Sequence, residues 1–482
     1  MLIGYWAPRL VWWARRLLRR NFSTISAVAG QGWEASLRHR AIIVFMLALA
    51  AASPGAGRDV RPAAPNIIIV IADDLGFGDI GANGSGKIRT PNIDWLARRG
   101  VNFTQFYASA NVCSPSRAGL MTGRYPIRSG LAYDVLGADD PRGLPAAEET
   151  LGEIAKRAGY ATKFIGKWHL GKFPDYSPLL HGFDEFYGVP HSNDMPNFAL
   201  YDGDAVIEQP VEQSTLTQRY GDEAERFIRE RSEQPFLLIV SHTMPHIPLY
   251  ASDAYHGHSR AGLYGDVVEE LDASVGRIIA ALKQADAFEN TAIFITSDNG
   301  PFFEGGTGGL KGGKGSSWEA GYRVPFIVSW PAANLKKGVR DAIAMNIDIL
   351  PTVADMIGVD PGASTIDGRS LLGILRGLAQ PAHRHLFYFN NEDIVGVRDR
   401  RWKYLTHSYY RRSLGAFEKF DQLDGFTSSY DLLFDAKDAG GEEYSFADRE
   451  PEALNELKAA LAAGRAKFDE LRTRPPDRTF PD

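Results

Sequence analysis

Apolar and polar residues are grouped along the chain in blocks that predict strands and helices in turn. Apolar stretches of strand length occur in residues 65–81, 161–171, 235–243, 291–300 and 323–331, and helical patterns in residues 90–100, 149–160 and 264–286. The first of these helices has Thr90 as its predicted N-cap, Pro91 in its first turn and Gly100 at its end. Stretches that are apolar on both faces are typical of parallel strands buried within a sheet. The pattern therefore predicts an α/β fold with a large mixed, mainly parallel sheet sandwiched by helices.

The pattern changes at about residue 384, where shorter segments begin. Residues 383–407 and 428–445 contain short alternating blocks, and residues 450–472 have a helical pattern. Short alternating strands are typical of an antiparallel sheet with one buried face. We therefore predict an N-terminal extension in residues 1–64, a main domain in residues 65–383, and a smaller antiparallel-sheet subdomain with a terminal helix in residues 384–482.

The first 64 residues carry the features of a targeting sequence. They hold nine arginines against Glu34 and Asp59, and an apolar run extends from Ala41 to Ala52. A basic flank, a short apolar run and small residues after it are typical of a signal peptide, and the run is short for a transmembrane helix. A single-pass membrane anchor is the alternative. We therefore predict an exported protein (periplasmic, secreted or lysosome-like), with membrane anchoring by this segment as the alternative to its cleavage.

The stretch before the apolar run, residues 7–26, is basic and amphipathic. Three interpretations fit it: an organellar presequence, a helix that lies on a membrane surface, or a mis-assigned start with translation beginning near Leu37. We prefer the last interpretation because it leaves a signal peptide of ordinary length.

Composition narrows the class of protein and its partners. With 482 residues, of which 44% are hydrophobic, the chain is long enough to bury a large core. The net charge of −6 includes the basic N-terminal extension, so the rest of the chain is more acidic than that value. An acidic body argues against nucleic acid as the main partner. The single cysteine excludes an internal disulfide, so cysteine content does not reveal the redox compartment.

Polar side chains follow three of the predicted strands. They are Asp73 and Asp74, His242 and His246, and Asp298 and Asn299. The carboxyl ends of strands meet at one edge of an open α/β sheet, where such folds bind ligands. Adjacent carboxylates repel each other unless a cation lies between them, and calcium or magnesium accepts such hard oxygen ligands. The sequence therefore indicates a divalent metal site, with caps and turns as the alternative role of the Asp-Asp pair. Zinc is disfavoured because no Cys/His cluster has zinc spacing.

Several cationic side chains lie in or beside loops that follow predicted strands. They are Arg117, Lys167, His169, His246 and Lys314. A metal ion together with several cations suits a multiply charged oxyanion, such as phosphate or sulfate. Each cation taken alone also fits a solvated surface charge, which is the interpretation we favour for Lys311. The glycine-rich residues 303–315 fit either a flexible linker or a loop that approaches an anion closely.

The single cysteine stands at the predicted start of a helix. Cys113 opens the segment CSPSRAGLMTGR, in which Ser114 or Ser116 is able to cap the helix. A helix N-terminus lowers the pKa of a thiol and favours anions, so Cys113 is a candidate nucleophile. A free thiolate in an exported protein is, however, prone to oxidation.

This segment resembles the signature of the type I sulfatases, Cys-x-Pro-Ser-Arg followed by Thr-Gly-Arg. The similarity continues in order from about Asn66 to the C-terminus, and YGVPHSND is similar to the arylsulfatase A branch of the family, which belongs to the alkaline phosphatase superfamily. The resemblance implies a sulfuric ester hydrolase of arylsulfatase type, with its catalytic domain in residues 65–383. It also implies that Cys113 is converted after translation to Cα-formylglycine.

The resemblance implies roles for individual residues. The resemblance implies one calcium ion, with magnesium as the less expected metal. The residues implied to bind this ion are Asp73, Asp74, Asp298, Asn299 and the modified Cys113. The residues implied to contact the sulfate group are Ser192, Lys167, His246 and Lys314. Arg117 is implied to support the aldehyde hydrate and the metal site, and His169 to act as a base. His242 is expected to be structural.

The implied mechanism uses the hydrated aldehyde at position 113. One of its hydroxyls attacks sulfur, and His246 or Lys314 protonates or stabilises the leaving oxygen. His169 then takes the proton of the second hydroxyl, which expels sulfate and regenerates the aldehyde. A formylglycine-generating or equivalent maturation enzyme and the export machinery are the implied partners. Two alternatives are a phosphoester or phosphonate hydrolase of the same superfamily and a non-catalytic protein that binds sulfate esters.

Overall fold

The structure is a computed structural model that describes residues 64–362, 365–378, 382–406, 431–436 and 442–473. By its contacts the chain divides into Met1–Arg61 and a compact unit of Pro62–Asp482. The predictions for residues 1–63, a signal peptide or anchor and the basic stretch before it, lie outside the described residues. Within the described ranges, no helix combines the length and the apolar character needed to cross a membrane.

The five strands and three helices predicted by position in the main part are present, and the structure adds further elements. The strands are β1 (Asn66–Ala72), β2 (Val101–Phe103), β3 (Phe106–Tyr107), β4 (Ala161–Lys167), β5 (Glu185–Val189), β6 (Leu200–Asp202), β7 (Ala205–Glu208), β8 (Phe236–Ser241), β9 (Thr291–Ser297), β10 (Phe326–Ser329), β11 (Gly338–Arg340), β12 (Ala344–Met345), β13 (Leu386–Asn390), β14 (Asp393–Arg398), β15 (Trp402–Leu405) and β16 (Leu432–Asp435). The α-helices are α1 (Pro91–Arg99), α2 (Cys113–Thr122), α3 (Leu151–Arg157), α4 (Leu216–Arg231), α5 (Gly262–Gln284), α6 (Glu319–Tyr322), α7 (Ile349–Ile357), α8 (Leu372–Leu375) and α9 (Pro451–Phe468).

One ten-stranded sheet organises the main part of the chain. Its strands lie in the order β11-β2-β10-β9-β1-β8-β4-β5-β6-β7. The five central strands, from β9 to β5 in this order, run parallel. Strand β10 is antiparallel to both of its neighbours, and β6 and β7 continue the other side of the sheet in antiparallel fashion. The prediction of a mixed, mainly parallel sheet is therefore confirmed.

Helices cover both faces of this sheet because the central strands are apolar on both sides. Ile67, Ile69 and Ile71 of β1 belong to the core that includes apolar residues of α2, α3 and α7. Ile68 and Val70, which alternate with them, belong to the core that includes apolar residues of α1, α4 and α5. Successive side chains of a strand point to opposite faces, so one uninterrupted apolar run supplies both cores.

Helix α1 begins and ends where its sequence predicts, although the N-cap works differently. Thr90 occupies the N-cap position, Pro91 is the first helical residue and Gly100 follows the last one. The Thr90 side chain makes no capping hydrogen bond. Instead, the backbone N–H groups of Asn92 and Ile93 donate to Asp272 Oδ1 at 3.1 and 2.8 Å. A side chain from the neighbouring helix α5 therefore satisfies the free amides of the first turn.

The C-terminal part forms a second sheet with the order β13-β14-β15-β16, in which all neighbours are antiparallel. Helix α9 contributes Leu457, Leu461 and Phe468 to the core of this sheet. The same core includes Tyr107 and Tyr322 from the main part of the chain. The predicted antiparallel sheet and terminal helix are confirmed, and the boundary at residue 384 stays a prediction.

Candidate active site

The parallel register of the central strands brings together the polar residues that follow them. Ala72 at the end of β1 is paired with Ser297 at the end of β9. Asp73 and Asp298, the next residues of the two strands, are therefore neighbours, and both are completely buried. This edge of the sheet is also where β4 ends in Lys167.

The acidic residues and Asn299 are linked by short hydrogen bonds. Asp74 adopts a left-handed backbone conformation with φ of 67°, and its N–H donates to Asp298 Oδ1 at 3.1 Å. Asn299 donates its side-chain amide to Asp74 Oδ1 at 2.7 Å. Asp298 Oδ1 also accepts the Asn299 backbone N–H at 2.9 Å. The predicted metal ligands on the two strands therefore form one compact group.

Two lysines reduce the repulsion between the adjacent carboxylates. Lys167 Nζ lies 2.5 Å from Asp73 Oδ2, and Lys314 Nζ lies 2.8 Å from Asp74 Oδ2. Burial opposes ionisation of Asp73, but the positive charges of Lys167, His246 and Arg117 outweigh it and hold the pKa of Asp73 well below its usual range. Lys311, by contrast, is exposed, and its Nζ lies 3.7 Å from the centre of the Trp318 ring.

Cys113 is the first residue of α2 and is 1% exposed. Its Sγ lies 3.6 Å from Asp73 Oδ1. Burial raises the pKa of the Cys113 thiol to about 12. The sequence argument that a helix N-terminus would lower this pKa is therefore wrong for the unmodified residue, because desolvation outweighs the nearby positive charges. A plain thiolate nucleophile is disfavoured.

The predicted serine caps of this helix are also wrong. The N-cap position belongs to Val112, which makes no side-chain cap. Ser114 Oγ accepts the N–H of Leu136 at 3.0 Å, and Ser116 Oγ donates to the carbonyl oxygen of Asp298. Ser116 therefore fastens α2 to the end of β9, and Ser114 fastens it to the loop that contains Leu136.

Arg117 joins four strand ends, those of β9, β4, β8 and β1. Its Nε donates to Asp298 Oδ2 at 2.9 Å, and one terminal nitrogen donates to the Lys167 carbonyl oxygen at 2.8 Å and to Ser241 Oγ at 2.7 Å. The other terminal nitrogen lies 3.3 Å from Asp73 Oδ1. Although burial opposes its charge, Asp298 and Asp73 raise the pKa of Arg117, so the guanidinium is a fixed positive charge beneath the acids.

His246 and Ser192 complete the other side of the cluster. The Ser192 hydroxyl accepts from Lys167 Nζ at 3.1 Å and lies 3.3 Å from His246 Nε2. His246 Nε2 is 3.8 Å from Asp74 Oδ2, while its Nδ1 faces the Ile247 carbonyl oxygen at 2.5 Å. Both side chains therefore lie beside the lysine–aspartate pairs.

His169 differs from the other predicted residues in its surroundings. It has φ of 57°, and its Nε2 lies 2.9 Å from the Leu136 carbonyl oxygen. Within the described residues, its buried Nδ1 has no hydrogen-bond partner. Burial, together with the charges of Lys167 and Arg117, holds the pKa of His169 well below its usual range. The imidazole is therefore neutral, with its proton on Nε2 and a free lone pair on Nδ1.

His242 lies outside this cluster of hydrogen bonds. Its ring packs against Tyr220, with centroids 6.0 Å apart, and burial lowers the pKa of His242 to about 4. The ring nitrogens of His242 have no partner within the part of the chain that the structure describes. The structural role of His242 stays a prediction.

The donor atoms of the cluster fit a divalent cation. Ligand atoms of Asp73, Cys113 and Asp298 lie within 4.8 Å of one another, and so do those of Asp74, Cys113 and His246. The buried Oδ1 of Asn299 accepts no hydrogen bond from any described residue. Burial raises the pKa of Asp298 to about 6. An orphaned amide oxygen beside desolvated carboxylates is the donor chemistry that calcium accepts.

The structure adds residues that the motifs do not single out. Ser241 supports Arg117, Asn193 Oδ1 lies 3.2 Å from His246 Nδ1, and Asn346 donates to Ser116 Oγ at 2.9 Å. Each is a small polar residue whose partner is distant in the sequence. Their only sequence signal is their position at strand ends or beside a motif.

A model of the family described as "Sulfatase" matches residues 65–359, which is more than half of the chain. The chain belongs to the sulfatase family. The predicted resemblance to sulfatases is thereby confirmed, and the chain is a sulfuric ester hydrolase. A second model, described as "N-sulphoglucosamine sulphohydrolase, C-terminal", matches residues 313–425.

Individual sulfatases show how far this similarity extends. A steryl-sulfatase of Mus musculus is 35% identical, over 89% of this chain and 85% of the relative. An arylsulfatase A of Bos taurus is 34% identical, over 88% of this chain and 90% of the relative. A solved sulfatase structure from Pseudoalteromonas sp. superimposes with a TM-score of 0.75 at 26% identity, and the match covers 91% of this chain and 95% of that one. The similarity therefore includes both sheets.

Proposed function

We propose that this sulfatase hydrolyses a sulfate monoester to an alcohol or phenol and inorganic sulfate, using formylglycine formed from Cys113 and one calcium ion. The observation that carries the proposal is the position of Cys113. The single cysteine of the chain is buried at the start of α2, and it lies against Asp73 within a group of two lysine–aspartate pairs. This environment disfavours a free thiolate but provides positive charge for an oxyanion.

Five residues are proposed to hold the calcium ion: Asp73, Asp74, Asp298, Asn299 and the modified residue 113. When bound, the ion would act as a Lewis acid that polarises a sulfate oxygen. The formylglycine supplies, as its hydrate, the oxygen nucleophile that a thiol cannot provide. Arg117 orients Asp298 and Asp73 through its two ion pairs, and so keeps the carboxylate oxygens in place.

The lysines and the serine bind the sulfate group in this proposal. Lys167 Nζ already contacts both Asp73 and Ser192, so it donates to a sulfate oxygen without moving far. Lys314 Nζ donates to the adjacent carboxylate, Asp74. Two ammonium groups fixed around one site offset the charge that develops on the sulfate oxygens. His246 and Lys314 both face Asp74 Oδ2, so they are the groups placed to stabilise or protonate the leaving oxygen.

His169 is proposed to take the proton that accompanies release of sulfate. The contact with Leu136 keeps the ring proton on Nε2, which leaves Nδ1 as the acceptor. The N–H of Leu136 binds Ser114 Oγ, so the same loop ties His169 to the residue next to Cys113. A neutral imidazole with one free nitrogen is the form that a general base requires.

The proposal includes partners and a location. A formylglycine-generating or equivalent enzyme converts Cys113. The apolar run of residues 41–52 directs the chain to the export machinery or anchors it. We propose that residues 65–383 form the catalytic domain, since all the site residues lie there, and that residues 384–482 form the subdomain.

The test is the mass of the tryptic peptide that contains residue 113, together with turnover of an aryl sulfate and the matching aryl phosphate. We expect an aldehyde or hydrate mass in protein from an exporting host, and faster turnover of the sulfate. Faster turnover of the phosphate would instead indicate a phosphoester hydrolase. A thiol that persists after co-expression with a formylglycine-generating enzyme, with no turnover, would indicate a sulfate-ester-binding protein.

Removal of divalent cations is expected to abolish turnover and to lower the melting temperature. Without a cation, the desolvated carboxylates of Asp73, Asp74 and Asp298 repel one another. A ligand that binds only the folded state and is present at a hundred times its Kd stabilises the fold by about 3 kcal/mol, and this stabilisation is lost when the cation is removed. The measurements are aryl sulfate turnover and thermal unfolding after dialysis against a chelator, and again after addition of Ca²⁺ or Mg²⁺. We expect Ca²⁺ to restore both more fully, because it accepts a larger and more flexible set of oxygen ligands. Unchanged rate and unfolding after complete chelation would contradict the metal site.

A further inference from the structure

A second group of buried charges lies between the C-terminal sheet and the loop that carries Lys314. Lys403 on β15 is 1% exposed, and its Nζ lies 2.7 Å from Glu442 Oε1 and 3.1 Å from Glu319 Oε1. The hydroxyls of Tyr107 and Tyr388 donate to Glu319 at 2.9 and 3.2 Å. We call Lys403, Glu319 and Glu442 the Lys403 cluster. None of its members belongs to the sulfate or metal site.

The Lys403 cluster binds the backbone of that loop directly. Glu442 Oε2 accepts the N–H of Glu319 at 2.7 Å, and Lys403 Nζ donates to the Ser317 carbonyl oxygen at 3.3 Å. The loop is closed by a hydrogen bond of 3.0 Å from the Ala320 N–H to the Lys311 carbonyl oxygen. Lys314 therefore lies within a closed loop, residues 311–320, whose second half is held by Lys403 of the C-terminal sheet and by Glu442.

The other side of this loop is fastened to the segment that precedes Cys113. The N–H of Gly315 donates to the Asn111 carbonyl oxygen at 2.8 Å, and the Asn111 side-chain amide donates to the Ser316 carbonyl oxygen at 3.0 Å. The N–H of Lys314 itself donates to Pro301 at 2.7 Å. The loop is therefore fixed between two supports, one beside Cys113 and one on the C-terminal sheet.

The charges of the cluster make the second support rigid. Burial opposes the ionised form of Glu319, but the positive charges of Lys403, Arg398 and Arg323 lower the pKa of Glu319 to about 2. A buried ion pair contributes little net stability, yet it resists any movement that would separate its partners. Buried charges are therefore better suited to fix the position of this loop than to stabilise the fold.

We propose that Lys403, Glu319 and Glu442 are positioning residues, which hold loop 311–320 so that Lys314 Nζ remains beside Asp74 and within reach of the sulfate group. This inference rests on the role of Lys314 in the proposed function. It assigns a task in the reaction to the C-terminal sheet, which contributes no residue to the sulfate or metal site. Small displacements of a group that binds the reacting atoms cost rate steeply, on the order of 10²-fold for 1 Å.

The experiment is a double-mutant cycle between Lys403→Met and Lys314→Ala, with kcat/KM for an aryl sulfate as the measurement. Lys403→Met is expected to lower kcat/KM about 10-fold in the otherwise unchanged enzyme, since a loop whose second half has lost its contacts with Lys403 moves by a fraction of 1 Å. In the Lys314→Ala enzyme the same substitution is expected to change kcat/KM by less than about 2-fold, because the effects of residues that act through one another are not additive.

The matched control is Lys458→Met, which removes a lysine–aspartate pair on the exposed side of the C-terminal part. It is expected to leave the rate unchanged.

The outcomes separate positioning from general stability. Equal losses in both backgrounds, or a lower melting temperature with an unchanged rate, would overturn the proposal. If Lys403→Met does not fold, Glu442→Gln replaces it in the cycle, because it keeps the side-chain volume and removes one charge. A normal rate for Lys314→Ala alone would refute the role of Lys314 in the proposed function. A slow Lys314→Ala enzyme with a fast Lys403→Met enzyme would refute only the positioning role.

Discussion

Replacement of Cys113 by alanine is expected to abolish turnover of an aryl sulfate and to leave the fold intact. The nucleophile is lost completely, because alanine at this position cannot be converted to formylglycine. The fold should persist because Cys113 is the first residue of α2, where alanine is well tolerated, and because, among the described residues, its thiol makes a single hydrogen-bond contact, 3.6 Å from Asp73 Oδ1. The measurements are kcat on the aryl sulfate and thermal unfolding of both proteins.

A serine at the same position provides the matched control. Cys113→Ser offers one hydroxyl but lacks the second hydroxyl that a hydrated aldehyde supplies. We expect it to transfer the sulfuryl group to its own oxygen and then to stop, since the resulting sulfate ester can be lost only by slow hydrolysis. Steady turnover by the purified Cys113→Ala enzyme would refute the mechanism.

Replacement of Lys314 by alanine is expected to lower kcat/KM by about 10²-fold or more, as for other preorganised charge contacts in active sites. Lys314 is buried, and its Nζ lies 2.8 Å from Asp74 Oδ2. Burial opposes its charge, but Asp74 raises the pKa of Lys314, so it carries a fixed positive charge. Its loss removes one of the two ammonium groups proposed to bind the sulfate oxygens.

Lys311 is the matched control, because it is three residues away on the same glycine-rich loop. It is exposed, lies against the Trp318 ring and donates to the Glu442 carbonyl oxygen at 3.3 Å. Lys311→Ala removes no group placed at the sulfate site, so it is expected to lower the rate far less than Lys314→Ala in the same assay. The reverse pattern, with a slow Lys311→Ala and a normal Lys314→Ala, would show that the wrong lysine has been assigned to the sulfate group.

The glycine-rich stretch shows how the structure decides between alternatives that the sequence leaves open. Residues 303–315 fit either a flexible linker or an anion-binding loop. In the structure, the Gly306 N–H donates to Asp79 Oδ1 at 2.8 Å, and a Cβ on Gly78 would meet the Gly308 nitrogen at 2.3 Å. The stretch packs closely on the loop that follows β1 and delivers Lys314 to Asp74, which is inconsistent with a free linker.

The sequence by itself determined the main elements and supplied the candidate residues of the site. Strand β1 is predictable because its seven consecutive residues are apolar apart from the first. Helix α1 is predictable because the signals for its start and end lie at its own termini. Such signals are local, so they depend on neighbours in the chain rather than on the fold. The motif around Cys113, together with the similarity that continues in order from about Asn66 to the C-terminus, likewise indicated the family, since the residues of each motif are contiguous.

Only the tertiary structure decided which of these residues meet and what surrounds them. The contact between Lys314 and Asp74 joins residues 240 positions apart, and the Lys403 cluster joins β15 of the C-terminal sheet to the start of α6. The direction of β10, the capping of α1 by Asp272 and the partners of Ser114 and Ser116 also depend on distant segments. The rise in the pKa of Cys113 follows the same rule, because desolvation depends on every segment packed around the thiol. Hydrogen bonds and burial act through space, and a linear pattern does not contain those distances.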